Sequence, residues 1–135
     1  MSRLVFLLYL AAGCQIAVAI LNLFLVRLLK WQEPLGRMPL LLREVFQVHA
    51  WFISVTLGIF GALTMRFAAD LVSGASPLCK WLAASIGIFW AIRTVLQVAY
   101  YSSSHWRGQP LRLLAHITLL LVYGGFAAVY LCCAF

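Results

Sequence analysis

The sequence predicts an all-α integral membrane protein, an antiparallel up-down-up-down bundle of four transmembrane helices. Three observations carry this. Of 135 residues, 65% are hydrophobic and only 10% charged, too few polar groups to cover a water-soluble domain of this size. Four apolar stretches without an acidic residue, 4–26, 45–65, 81–101 and 113–135, each reach the roughly 20 residues that cross about 30 Å of hydrocarbon at about 1.5 Å per residue. The second and third connections are short, which sets successive helices side by side in opposite directions. All 135 residues then form one four-span domain, with helices at about 4–27, 40–66, 77–103 and 110–134.

The first span is longer than the roughly 7–15 apolar residues of a cleaved signal, and Ala17 and Ala19 are followed by more apolar sequence, so it reads as a retained helix. The connection at 27–42 holds Glu33, Pro34, Gly36 and Pro39 and has room for a short interfacial helix with Trp31 at headgroup depth. The connection after the second span ends in Ser76-Pro77, an N-cap followed by proline at the first helical position. Pro110 opens the fourth helix in the same way, after the polar run 102–109. Close packing faces are marked by stripes of small and uncharged polar residues, most of them three or four apart. They are Ala11, Gln15, Ala19 and Asn22 on the first helix, Gln47, Ala50, Ser54, Gly58 and Gly61 on the second, Ala84, Gly87 and Ala91 on the third, and Gly124, Gly125 and Ala128 on the fourth.

The net charge is +7, yet the ten basic residues are dispersed over connections and helix ends. They form no stripe that would track phosphates, so nucleic acid is not an expected partner and the lipid bilayer is. Arg27, Lys30, Arg37, Arg43, Arg107 and Arg112 lie on the face bearing the first and third connections, against Arg3, Arg66 and Lys80 on the other. This excess predicts a multi-pass protein of the cell (inner) membrane with the first face cytoplasmic and both termini outside.

Several activities are excluded by missing motifs. Thiol exchange with quinone needs a Cys-x-x-Cys pair, and Cys14, Cys79, Cys132 and Cys133 offer none. The chain has no phosphate-binding glycine loop, no paired carboxylates, no H-E-x-x-H and no nucleophile elbow. Without a broken helix pair or an internal repeat, alternating-access transport has no basis either.

The polar residues within the spans are what lipid does not explain, since an ionisable group there costs roughly 2.5–3.5 kcal/mol on insertion scales. Arg93 stands near the middle of the third span, with Gln97 one turn on and Tyr100 and Tyr101 beyond it. Glu44, on the second helix beside Gln47, is the acid expected to face it. His49 and His116 lie about two turns inside their helices from the same membrane face, and His105 lies at its rim. Two imidazoles at equal depth are an arrangement that holds a b-type haem iron from both sides, with His49 and His116 as the metal ligands. His49 points about 200° away from the Gln47 face, however, so the two faces do not line one cavity. A three-histidine metal site lacks local ligand spacing.

Three functions follow from these residues. The leading expectation is a non-catalytic subunit of a larger membrane complex or homo-oligomer, whose cluster of Asn22, Glu44, Gln47, Tyr100, Tyr101 and His105 with the buried Arg/Gln/His group locks the helices. The second is an electron-transport protein holding haem b or quinone through His49, His116, Arg93 and Gln97. The third binds a lipid or other amphiphile through its arginines. No catalytic residue is identified.

Overall fold

A computed structural model describes residues 2–100 and 108–135. The described residues are 89% helical, and no strand occurs among them. The helices are α1 (Arg3–Leu28), α2 (Gln32–Gly36), α3 (Leu40–Ser73), α4 (Pro77–Ala99) and α5 (Pro110–Ala134). Four of them, α1, α3, α4 and α5, are long and apolar enough to cross a membrane.

The helix ends follow local chemistry. After α1, Lys30 takes a left-handed φ of 54°, while its N–H bonds to Arg27 O at 3.3 Å and the Trp31 N–H to Val26 O at 2.9 Å. That is the paired closure of a Schellman motif, here with lysine where glycine is usual. The short helix expected near Trp31 is α2, stapled by a Glu33–Arg37 ion pair one turn apart. Ser76 caps α4 by accepting from Cys79 N at 3.3 Å, with Pro77 in the first turn.

Two bounds differ from expectation. The second span does not stop near residue 66 but continues to Ser73, because non-helical angles at Phe67 (φ −119°, ψ 20°) bend the helix instead of ending it. Its true stop is Gly74, with φ +60° and the Ala75 N–H returning to Asp70 O at 3.2 Å. The third span ends at Ala99, with Tyr100 as its C-cap, short of residue 103.

The chain divides into two compact units. One is Tyr9–Phe67; the other joins the residues up to Leu8 with Ala68–Phe135. In the first, α1 and α3 approach where Gly61 lies: a Cβ there would stand 2.6 Å from Ile16 Cγ1 and 3.1 Å from Ala12 O. In the second, α4 and α5 meet at Gly87, where a Cβ would be 2.9 Å from Leu131 Cδ2 and 3.2 Å from Leu131 N. Around the latter seam Trp90 is fully buried, stacked on Tyr123 at 5.1 Å and tilted against Phe126 at 4.8 Å. Such aromatic pairs add about 0.5–1.5 kcal/mol beyond area burial.

Within the spans, hydroxyl groups return to the helix that carries them. Thr56, Thr64, Ser85, Thr94 and Thr118 each donate to the carbonyl four residues back, at 2.7–2.8 Å. In hydrocarbon this is how a hydroxyl avoids an unmet hydrogen bond. Among the described residues no buried side-chain nitrogen or oxygen lacks a partner.

Candidate functional site

The site is a polar chain on the α4–α5 pair. Arg93 and Gln97 are one turn apart on α4, so both project from one face, and the Arg93 guanidinium donates to Gln97 Oε1 at 2.9 Å. Gln97, only 3% exposed, reaches across with its amide nitrogen to His116 Nδ1 on α5, 3.0 Å away. The guanidinium also lies over the Tyr123 ring, 4.9 Å from its centroid, and Tyr123 rests on Trp90. Arginine, amide, imidazole and a stacked aromatic wall thus form one continuous assembly.

Hydrogen-bond sense fixes the protons. An arginine has only donors, so Gln97 must face it with oxygen and turn its NH₂ to His116. An amide NH₂ also only donates, so Nδ1 must be the acceptor. His116 is therefore neutral, with its proton on Nε2. This arrangement occupies Nδ1 as an acceptor. It opposes haem ligation, which needs the Nε2 lone pair and a proton on Nδ1 held by an acceptor.

The other candidate residues are placed differently. His49, exposed on α3, donates from Nδ1 to Val45 O at 2.8 Å, one turn back on its own helix. It belongs to the Tyr9–Phe67 unit and His116 to the other. Asn22 ties α1 to α3: its Nδ2 donates to Ala50 O at 2.9 Å and to Ser54 Oγ at 2.8 Å. Glu44 and Gln47 are exposed on α3, along a shallow groove that also takes in Trp51 and Phe52. Tyr100 is 81% exposed at the end of α4. Tyr101, His105 and Arg107 lie outside the described residues.

Sequence reasoning missed two members of the assembly, Trp90 and Tyr123, as parts of the site. The spacing of Arg93 and Gln97 marked one helix face, but nothing in it says which rings would lie beside it. Arg93 also stands six residues from Ala99, about 9 Å from the end of α4, and not at mid-span as expected. His116 is likewise six residues from the start of α5, so the two reach the same depth from the connected helix ends.

Among the described residues no cluster of three His, Cys, Asp or Glu side chains can hold a metal ion. All four cysteines are free thiols. No protein-family model, curated protein or solved structure matches the chain.

Proposed function

We propose that the protein is a non-catalytic subunit of a larger complex in the cell membrane. Its spans make an up-down-up-down bundle with both termini outside, and the Arg93–Gln97–His116 chain sets the register of α4 against α5. The observation that carries this reading is that Arg93, Gln97 and His116 are bonded in series within one helix pair. A catalytic centre would need a poised base, nucleophile or metal, and here the imidazole's basic nitrogen is already used to hold Gln97. The clamp is worth having because a polar cross-link in lipid specifies one helix register, although its contribution to stability is modest, about 0.6 kcal/mol for a typical bond.

The test is purification from native membranes in mild detergent, followed by native mass spectrometry. A second membrane polypeptide at fixed stoichiometry is the expected result. A uniform monomer or homodimer, from cells where the full complement of membrane proteins is expressed, overturns the subunit reading.

A quinone-binding reading is favoured over haem by one observation. The Arg93 guanidinium has only hydrogen-bond donors and matches a carbonyl acceptor better than an iron.

A further inference from the structure

We infer that Arg93 is the deep anchor of a site for an anionic phospholipid headgroup, entered from the membrane face that bears the α4–α5 connection. This goes beyond the clamp, which needs Gln97 and His116 but gives Arg93 no counter-charge.

The charge inventory is the first support. The unit containing Arg93 has a single acid, Asp70. Asp70 lies three residues before the end of α3, beside the start of α4, whereas Arg93 is sixteen residues into α4, about 24 Å along its axis. Among the described residues the one ion pair is Glu33–Arg37. The partners shown for Arg93 are a neutral amide and a ring face. Both satisfy geometry, and neither removes the positive charge that makes arginine costly at this depth.

Orientation is the second support. One terminal nitrogen of the guanidinium is tied to Gln97, itself held by His116, and the plane lies over Tyr123. The fork is therefore held in place with donors remaining, since a guanidinium carries five N–H groups. Arg93 is half-buried, so part of its side chain is exposed. A phosphate oxygen is the acceptor that a fixed guanidinium fork fits best.

The third support is the rim. Arg112 is exposed one turn before His116 on α5, so a second cation stands above the first on the route from the headgroup layer. A lipid phosphate entering there meets Arg112 first and Arg93 below it, while its acyl chains stay in hydrocarbon. Each basic residue at a membrane surface favours an anionic lipid by roughly fivefold.

The experiment uses the full chain in neutral detergent, with native mass spectrometry and thermal unfolding after addition of phosphatidylglycerol, phosphatidylcholine or inorganic phosphate. Retained phosphatidylglycerol and a raised unfolding temperature are expected for the wild type, with little effect of phosphatidylcholine. Arg93→Gln should weaken phosphatidylglycerol binding roughly fivefold or more; Arg112→Gln should weaken it less, and Arg66→Gln, within α3, should leave it unchanged. Equal protection by phosphatidylcholine, equal loss in Arg66→Gln, or full binding by Arg93→Gln overturns the proposal. Protection by inorganic phosphate alone overturns the lipid as source. If Arg93→Gln does not fold, Arg93→Lys decides: it keeps the charge but loses the fork, and must bind more weakly than wild type.

Discussion

Gln97 and His116 are joined across the α4–α5 pair by a 3.0 Å hydrogen bond whose direction is dictated by Arg93, one turn away on the Gln97 side. The relation is chemical as well as geometric, because a group that only donates sets the polarity of everything beyond it. The nearest consequence concerns the imidazole proton. In protein labelled with ¹⁵N-histidine, His116 should show a non-protonated Nδ1 and a protonated Nε2. Gln97→Glu, with an acceptor at both ends, should move the proton to Nδ1. The same polarity predicts that protein from haem-supplemented cells has no Soret band; a sharp band lost in His116→Ala would mean the imidazole is reversed.

The helix seams give a second prediction. Ala at Gly87 would press on Leu131, and Ala at Gly61 on Ile16 and Ala12 O, so each substitution should destabilise by about 1–3 kcal/mol in thermal or denaturant unfolding in detergent. Gly58 and Gly125 have nothing within 4 Å of an added Cβ. Alanine there should be neutral or stabilising by up to about 1 kcal/mol through helix propensity.

That contrast shows how far the sequence could be read. The four apolar spans were legible because crossing hydrocarbon demands length and composition, and both are visible in one dimension. Gly58, Gly61, Gly87, Gly124 and Gly125 all looked alike as small residues at helical spacing. Only the packing of the facing helix separates Gly61 and Gly87 from the rest. The continuation of α3 past Arg66 was hidden because Arg66 and Asp70 resemble the polar start of a connection, whereas the helix tolerates them by bending at Phe67. In the site, Arg93, Gln97 and His116 were each conspicuous as polar residues in lipid. Their linkage was not, since it depends on the register between α4 and α5. His49 was equally conspicuous and instead turns to Val45 O on its own helix.

A third prediction comes from two helix stops with the same backbone shape and different residues. Lys30 and Gly74 both adopt left-handed φ, 54° and 60°, which costs an ordinary side chain about 1 kcal/mol or more. Lys30→Gly should therefore raise stability by about 0.5–1 kcal/mol. Gly74→Ala should lower it by at least as much, since its Cβ would also displace Lys80 Cε, 2.9 Å away. Unfolding midpoints of the two variants moving in the same direction would contradict the assignment.

The last prediction separates the members of the polar chain by what each leaves behind. Arg93→Leu removes a charge whose presence in the membrane costs roughly 2.5–3.5 kcal/mol. It strands only Gln97 Oε1, a loss of about 1–3 kcal/mol for an acceptor left unmet. The two effects nearly cancel, so in lipid-free detergent this variant should be as stable as the wild type or slightly more so. Gln97→Leu has no such compensation: it strands the guanidinium at one end and His116 Nδ1 at the other, and should cost about 2–5 kcal/mol. The double variant Arg93→Leu/Gln97→Leu should recover part of that loss, because the stranded charge is gone. This ordering follows from the direction of the bonds and not from their number. If Arg93→Leu proves the more damaging single change, Arg93 holds the helix pair together and Gln97 does not.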